Sequence, residues 1–307
     1  MKILILGGTG SLGHCLVRRY IHEQVYVLSR DEAKQWKMKL EFPDVNFIIG
    51  DIRDKDKIRR VISNVQPEVI IIAAAMKHID LCERDTHECI QTNILGVKNI
   101  LECVEETPVQ SLKTVCFIST DKACDPGSAY GMSKALGEIM LVEKSRTVPS
   151  VKFVTVRYGN VLNSRGSIIP ILNFIGNSSD KTHFPLTHPD MNRYFMTEEQ
   201  SLDLVDHAIR EGQSGDVIIP ELVSMNIKDL CEIYSEKYNK PVVVTGLRPG
   251  EKIREILIND AQSMRAVKQG PYTHVRRDVP DVPCSECSTR VLTKDELRDL
   301  LTHLGVL

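Results

Sequence analysis

Short apolar runs alternate with helical patterns through the first half of the chain. The runs are rich in Ile, Val, Leu and Phe, and their lengths are typical of strands buried on both faces. They occupy residues 3–6, 25–28, 47–50, 69–75 and 114–118. Helical patterns cover residues 14–22, 88–105 and 129–144. This alternation, which continues as far as Arg157, predicts an α/β fold built on a doubly wound parallel sheet of the Rossmann type.

The pattern changes beyond Asn160, where turns rich in Pro, Gly, Asn and Ser interrupt the chain. Such irregular segments are typical of a cap that closes over a ligand. A strand is predicted at residues 241–245, and Thr293 and Glu296 have the spacing of a capping box that opens a final helix.

Two domains are predicted from this change of pattern. Residues 1–165 form the dinucleotide-binding domain, and residues 198–220 return to it as a helix and a strand. Residues 166–307 form a smaller C-terminal substrate-binding domain.

The composition favours small-molecule partners. The chain has 307 residues and a net charge of −2, so it has no overall attraction for nucleic acid or for an anionic membrane. The opening apolar run leads directly into glycines, which favours a first strand over a signal peptide. The longest apolar run, residues 69–76, is shorter than the roughly 20 residues that span a bilayer. We therefore predict a soluble, cytoplasmic protein.

The nine cysteines show no disulfide framework, which fits reduced thiols in the cytoplasm. Cys284 and Cys287 form a C-x-x-C pair without a second such pair. We assign that pair a structural or incidental role and predict no metal site.

A glycine-rich stretch lies between the first strand and the first helix, where a dinucleotide-binding loop is expected. Gly7 would make the turn, Gly10 would let the backbone approach a pyrophosphate, and Gly13 would let the helix pack closely on the strand. The alternative is a glycine turn that binds no ligand.

The end of the second strand bears on the choice of cofactor. Arg30 lies about where NAD-binding proteins place an acidic residue, and a guanidinium suits the 2′-phosphate of NADP. Asp31 is adjacent, and a solvated surface charge is the alternative for Arg30. Asp51, after the third strand, is predicted either to accept from an adenine amino group or to cap a helix.

The polar residues after the strand at 114–118 are the strongest catalytic candidates. Thr120, Asp121 and Lys122 follow that strand, at the sheet edge where ligands of such folds bind. Tyr130 and Lys134 lie four residues apart on one face of the next helix. A nearby ammonium favours an ionised phenol, so Tyr130 could act as a base. For the Tyr-x-x-x-Lys spacing alone, an ordinary amphipathic helix face is the alternative.

Several motifs together resemble the extended short-chain dehydrogenase/reductase family, in its sugar-nucleotide branch. They are the glycine stretch, Ser119-Thr-Asp-Lys122, Tyr130-x-x-x-Lys134, Ala74-Ala-Met-Lys-His78, Arg157-Tyr-Gly-Asn160, Ser164-Arg-Gly-Ser167 and Gly246-Leu-Arg-Pro-Gly-Glu-Lys252. Within it, the chain resembles the inverting UDP-N-acetylglucosamine 4,6-dehydratases, which invert C5. The Asp121-Lys122 pair is the most specific feature of this resemblance. The tail after Val282 looks shorter than is usual in that group.

The resemblance implies NADP and a UDP-sugar as ligands. The cofactor-binding residues would be Gly7, Thr9, Gly10, Ser11, Leu12, Gly13, Ser29, Arg30, Asp51, Ile52, Ala73, Ala74, Ala75, Lys77, Asn93, Tyr130 and Lys134. The substrate-binding residues would be Lys77, His78, Asn160, Arg165, Arg193, Met225, Arg248 and Glu251. Arginines suit a diphosphate, although each alone could be a surface residue, and Asn93 could be an ordinary surface asparagine. The resemblance also implies a homo-oligomer, a dimer or a hexamer, with residues 88–105 and 129–144 as the dimer face.

The implied reaction gives every catalytic candidate a role. Tyr130, aided by Lys134 and Thr120, would remove the proton of the sugar 4-hydroxyl. Lys122 would remove the proton of C5. Asp121 would protonate the departing 6-hydroxyl. A 4-epimerase or 4-reductase of the same fold is the alternative, with UDP-glucose as another possible substrate. A cofactor-sensing protein without catalytic activity is a third hypothesis.

Overall fold

The computed structural model describes residues 1–107, 109–278 and 291–307. The first half comprises β1 (Lys2–Leu6), α1 (Ser11–Arg19), β2 (Gln24–Ser29), α2 (Glu32–Glu41), β3 (Asn46–Ile49), α3 (Lys55–Val65), β4 (Val69–Ile72), α4 (Ile79–Arg84), α5 (Thr86–Cys89), a π-helix (Ile90–Leu95), α6 (Gly96–Glu106), β5 (Thr114–Ile118), a 3-10 helix (Asp121–Ala123), α7 (Ala129–Thr147) and β6 (Lys152–Val156).

The second half comprises β7 (Asn160–Val161), α8 (Ile168–Asn177), β8 (Phe184–Leu186), β9 (Asn192–Met196), α9 (Glu198–Glu211), β10 (Val217–Pro220), β11 (Val223–Asn226), α10 (Ile227–Tyr238), β12 (Val242–Val244), α11 (Asp260–Ser263), β13 (Ala266–Gln269), β14 (Tyr272–Val275) and α12 (Lys294–His303). Cys284 and Cys287 lie outside the described residues, as do residues 283–290 of the tail after Val282.

A nine-stranded sheet forms the main layer, in the order β13-β14-β10-β6-β5-β4-β1-β2-β3. The seven strands from β10 to β3 are parallel, and β14 and β13 add an antiparallel edge. Every residue of β4 and β5 is buried, which agrees with their uninterrupted apolar sequences. Separate apolar clusters cover the two faces of the sheet. The predicted doubly wound sheet is therefore confirmed.

A smaller region packs around its own apolar cluster. It contains a three-stranded sheet, β11-β9-β7, and a two-stranded sheet, β12-β8, together with α8, α10 and α12. The chain also returns to the main sheet, through α9 and β10 and again through β13 and β14. The sequence did not predict the second return, and the predicted boundary between two domains stays a prediction.

Several elements differ in detail from their predicted bounds. β4 ends at Ile72 rather than at residue 75, and α1 begins at Ser11, directly after the glycine turn. The single helix predicted at residues 88–105 is divided by the π-helix, which widens the turn around Asn93. The capping box of the last helix is confirmed, because Thr293 accepts from the Glu296 amide and Glu296 accepts from the Thr293 amide.

No helix in the described part of the chain is both long and apolar enough to cross a membrane. All seven cysteines in that part are free thiols with buried side chains.

Candidate active site

The 3-10 helix that follows β5 brings Thr120, Asp121 and Lys122 together. The Asp121 side chain is fully buried, and its Oδ1 atom accepts from Thr120 Oγ1 at 2.8 Å and from Lys122 Nζ at 2.9 Å. The other carboxylate oxygen, Oδ2, has no hydrogen-bond partner among the described residues. The site thus contains a buried ion pair with one acceptor position still available.

Helix α7 holds Tyr130 close to this pair. Its N-terminus is capped twice, because Ser128 Oγ accepts from the Gly131 amide at 3.1 Å and Glu83 Oε1 accepts from the Ala129 amide at 2.6 Å. A Cβ atom on Gly131 would lie 2.3 Å from the carbonyl oxygen of Lys122. Only glycine therefore lets the first turn of α7 pack against the 3-10 helix.

Burial controls the charges of Tyr130 and Lys134. Burial raises the pKa of the Tyr130 hydroxyl, and the negative charge of Asp121 raises it further. A hydrogen bond with Thr120 lowers this pKa, but by less. Burial lowers the pKa of Lys134 to about 7, against the effect of Glu138. The sequence predicted that an ammonium at Lys134 would favour the phenolate. In the structure, burial disfavours both charged forms, and the effect of Lys134 on Tyr130 stays a prediction.

Lys134 also contacts an aromatic ring that the sequence analysis did not identify. Its Nζ atom lies 3.9 Å from the centroid of the Phe117 ring, within the range of a cation–π contact. Phe117 is fully buried in β5. The sequence identified this strand by its apolar character, which carries no information about a contact with one lysine.

Most of the predicted cofactor residues lie at the carboxyl ends of four neighbouring strands, β4, β1, β2 and β3. Thr9, Ser11 and Leu12 follow β1, Ser29 and Arg30 lie at the end of β2, Asp51 and Ile52 follow β3, and Ala73, Ala74 and Ala75 follow β4. Ile52 differs from the others, since its side chain packs in the apolar core.

The glycine turn leads directly into α1. Gly7 has a φ of 89°, and the Gly10 amide donates to the Gly7 carbonyl at 3.1 Å. Gly10 is the N-cap residue of α1, and no side chain caps that helix. The first amides of α1 are therefore free to bind an anion.

The acidic residues near Arg30 have partners within the protein. Asp31 is the N-cap of α2, accepts from the Lys34 amide at 3.0 Å and pairs with Lys34 Nζ at 2.7 Å. Arg30 Nη1 lies 3.7 Å from Asp51 Oδ2, and the Arg30 side chain is 56% exposed. Asp51 accepts from Arg53, whereas Asp54 caps α3. The predicted alternative of a helix cap at Asp51 is therefore wrong.

Asn93 is buried, and it fixes the chain after β4. Its side chain accepts from the Met76 amide at 2.8 Å and donates to the Met76 carbonyl at 2.9 Å and to Ser133 Oγ at 3.0 Å. The alternative of a surface asparagine is therefore wrong. Lys77 and His78 come directly after Met76 in the chain. Burial lowers the pKa of Lys77, and the positive charge of Arg165 lowers it further.

The predicted substrate residues of the second half differ in their surroundings. Arg193 is buried and donates to the backbone carbonyls of Asn192, Lys252 and Ile253. Arg248 pairs with Glu251 at 2.6 Å, and its side chain is 62% exposed.

Two other predicted substrate residues make contacts within the smaller region. Asn160 donates to the Tyr194 carbonyl at 3.1 Å. Met225 is 1% exposed and its side chain lies in the apolar cluster of this region, so a substrate could not contact it without rearrangement.

A buried network behind the site was missed by the sequence analysis. Arg157 is fully buried, pairs with Glu138, and donates through Nη1 to the Leu257 carbonyl at 2.6 Å and to Gln262 Oε1 at 2.9 Å. Glu138 also accepts from Ser119. Glu138 lies one helical turn after Lys134, which is the only signal that the sequence contained.

Fold and motifs together define a Rossmann-type short-chain dehydrogenase/reductase, as the resemblance implied. The chain belongs to the family described as "Polysaccharide biosynthesis protein", which matches residues 3–277. It is 34% identical over 270 residues to a Campylobacter jejuni protein named "UDP-N-acetylglucosamine 4,6-dehydratase (inverting)", covering 85% of this chain and 78% of the relative.

Other relatives carry a different name. A Rickettsia bellii protein named "UDP-glucose 4-epimerase" is 33% identical over 293 residues, covering 91% of this chain and 84% of the relative. The X-ray structure of Pen from Bacillus thuringiensis has a TM-score of 0.89 and 28% identity, covering 99% of this chain and 98% of that one. The fold is also shared with DesIV, a dTDP-glucose 4,6-dehydratase from Streptomyces venezuelae, at a TM-score of 0.72 and 21% identity, over 84% of this chain and 88% of that one. The relatives support an enzyme of the short-chain dehydrogenase/reductase family.

Proposed function

We propose that the protein is an NADP-dependent UDP-N-acetylglucosamine 4,6-dehydratase that inverts C5, a carbon–oxygen lyase. The observation that carries the proposal is the buried Asp121–Lys122 pair beside Tyr130. Oxidation at C4 alone needs only the tyrosine and its lysine, whereas elimination needs a separate acid and base. The similarity to the Campylobacter jejuni dehydratase supports the same reaction.

The proposed cofactor site fits a dinucleotide phosphate. The uncapped start of α1 would hold the pyrophosphate, and Arg30 would hold the 2′-phosphate. The Asp31 carboxylate already caps α2, so it is less available to accept a hydrogen bond from the ribose 2′-hydroxyl of NAD. This favours NADP over NAD. When bound, the nicotinamide would accept hydride from C4 of the sugar and return it to C6. Nucleotide extracted from the purified protein should therefore carry a 2′-phosphate, and NAD in its place would contradict the assignment.

The Asp121–Lys122 pair can supply both the acid and the base that elimination needs. Elimination needs a neutral amine to remove the C5 proton and a protonated carboxyl to protonate the 6-hydroxyl. This form differs from the observed ion pair by one proton moved across the 2.9 Å contact. Asp121 is fully buried and the Lys122 side chain is 12% exposed, so little solvent reaches this contact. Asp121 Oδ2, which lacks a partner among the described residues, is free to meet the 6-hydroxyl.

In the proposed sequence of steps, Tyr130 acts as a phenolate, a form that the positive charge of a bound oxidised nicotinamide would favour against burial. It removes the proton of the 4-hydroxyl as C4 becomes a ketone. The ketone acidifies C5–H, and Lys122 removes that proton. Asp121 then protonates the 6-hydroxyl, which leaves as water. With hydride returned to C6, C5 finally receives a proton that comes from water, on the face opposite to the one that lost its proton. This inverts the configuration of C5 and gives a 4-keto-6-deoxy sugar. Lys77, His78, Asn160, Arg193, Arg248 and Glu251 are proposed to bind the UDP-sugar.

Proton NMR of the purified protein with UDP-N-acetylglucosamine in deuterated water tests this function. We expect a new C6 methyl signal, deuterium at C5 and the ring couplings of the inverted sugar, without any added reductant. Conversion to the C4 epimer with the C6 hydroxyl retained would contradict the dehydratase. It would support the second candidate, a UDP-sugar 4-epimerase, which the similarity to the Rickettsia bellii protein favours. Turnover of UDP-glucose alone would correct only the proposed substrate.

The protein is also proposed to form a homo-oligomer through α7 and the neighbouring π-helix. Met132, Leu136 and Ile139 make an apolar stripe along α7, and each is between 45% and 63% exposed. Ile90 and Leu95 add exposed apolar surface on the π-helix. Packing these faces against a second copy would remove the stripe from water.

Replacing Ile139 by glutamate is expected to weaken this oligomer by at least about tenfold in its dissociation constant, because a charge would be buried in an apolar contact. Light scattering across a dilution series measures the mass. Leu40→Glu is the matched control, since Leu40 is exposed to a similar degree on α2, away from the stripe. An unchanged mass for Ile139→Glu would show that the dimer face lies elsewhere.

A further inference from the structure

Lys134 lies over the face of a buried aromatic ring, that of Phe117. Its Nζ atom is 3.9 Å from the ring centroid, and Lys134 and Phe117 are 3% and 0% exposed. A cation at this distance is attracted to the electron-rich face of the ring, and the attraction is stronger where water is excluded. The contact therefore favours the ammonium form of Lys134 over the neutral amine.

The carboxylate that helical spacing would offer to Lys134 is already engaged. Glu138 lies four residues after Lys134 on α7, a spacing at which opposite charges commonly pair. Its Oε1 atom instead accepts from Ser119 Oγ and from Arg157 Nε, and its Oε2 atom accepts from Arg157 Nη2. No ion pair between described residues includes Lys134. The Phe117 ring therefore lies where a carboxylate would otherwise stabilise the charge of Lys134.

The ring is held in place by the same helix. A Cβ atom on Gly137 would lie 2.5 Å from Phe117 Cζ and 2.7 Å from Phe117 Cε1, so a side chain at this position would displace the tip of the ring. Gly137 comes three residues after Lys134 on α7. The ring tip thus packs against the turn of the helix that carries the lysine.

The charge of Lys134 is finely balanced near neutral pH. Burial lowers the pKa of Lys134 to about 7, while the negative charges of Glu138 and of a Cys89 thiolate act in the opposite direction. Because the amine titrates near neutrality, a contribution of about one pKa unit decides whether it is mostly charged or mostly neutral. A cation–π contact between desolvated groups can supply a contribution of about that size.

We propose that Phe117 is a positioning residue, whose ring face holds the Lys134 ammonium in place and keeps it charged, one helical turn from Tyr130. A positive charge at Lys134 stabilises the Tyr130 phenolate, which removes the proton of the 4-hydroxyl. Phe117 acts through Lys134 and needs no contact with the substrate. Only the reaction that Lys134 assists rests on the proposed function.

The test weakens the attraction of the ring while keeping its hydrocarbon frame. Phenylalanines with one, two or three ring fluorines, incorporated only at position 117 of the full-length protein, withdraw electron density from the ring face in steps. The pKa of Lys134 is expected to fall with each step, by about one unit in all. NMR titration of isotope-labelled lysine measures this pKa, and the Lys134 signal is identified by its absence from Lys134→Arg. The same series at Phe153 is the matched control, since Phe153 is also fully buried, on the neighbouring strand β6 and in the same apolar cluster.

The pH dependence of C4 oxidation gives a second readout, followed by the absorbance of reduced nicotinamide after UDP-N-acetylglucosamine is added. The assistance of Lys134 is lost as the pH rises through its pKa, so the alkaline limit of the rate should move to lower pH by the same amount as that pKa. The KM for the sugar nucleotide should not change.

A Lys134 pKa that is insensitive to fluorination of Phe117, or that falls equally on fluorination of Phe153, would overturn the proposal. A parent protein that does not oxidise the sugar would refute the proposed function. The titration of Lys134 would still decide whether Phe117 stabilises its charge.

Discussion

Replacing Lys122 by alanine is expected to lower the rate of dehydration by about a hundred- to ten-thousandfold, the range for loss of a positioned general base. Tyr130 and Lys134 remain in this variant, so oxidation at C4 should still occur and the absorbance of reduced nicotinamide should accumulate when substrate is added. Exchange of the C5 proton with deuterated water should be lost. Single-turnover absorbance and proton NMR measure the two steps separately.

The control for this variant is Lys113→Ala. Lys113 lies just before β5, at the opposite end of the strand from Lys122, and its side chain is 73% exposed. Its removal should leave both steps at the parental rate. If Lys122→Ala exchanged C5 deuterium as fast as the parent, another group would be the base, and the role proposed for the Asp121–Lys122 pair would be wrong.

Replacing Arg157 by methionine is expected to destabilise the protein by about 3–5 kcal/mol, because Glu138 would be left buried without its positive partner. The change would also remove the donors to the Leu257 carbonyl and to Gln262, which connect the main sheet to residues 257–262. Urea unfolding measures the difference in free energy.

Two further variants make this expectation specific to the buried charge. Arg157→Met combined with Glu138→Gln should recover part of the stability, since no uncompensated charge remains. Arg298→Met removes a partner of Glu236 from an exposed pair and should cost about 1 kcal/mol or less. A loss of similar size in Arg157→Met and Arg298→Met would mean that the buried pair contributes no more than an exposed one.

The sequence predicted the edge of the sheet that carries the candidate site because parallel strands share their direction. Once β1, β4 and β5 were recognised by their apolar runs, the residues that follow them had to meet at one edge. The glycine turn and the Tyr130–Lys134 spacing could be located in the same way. These features depend on local pattern, which a single sequence contains.

The features that the sequence did not predict depend on burial and on distant partners. Arginine is rarely buried completely, so nothing in the sequence indicated that Arg157 lies in the core opposite Glu138. Helical spacing placed Lys134 near Tyr130, but it could not show that burial lowers the pKa of Lys134 to about 7. The contact of Arg165 with Thr9 joins residues 156 positions apart, a distance that no local pattern can span.

The repeated return of the chain to the main sheet has a mechanical consequence. The chain leaves the sheet after β6, returns at β10, leaves again at β11 and returns at β13. A region attached by several separate crossings cannot swing about a single pivot, because each crossing limits rotation about the others. Entry and exit of the proposed UDP-sugar would then depend on small movements of individual loops, such as residues 246–252, rather than on opening of the whole smaller region.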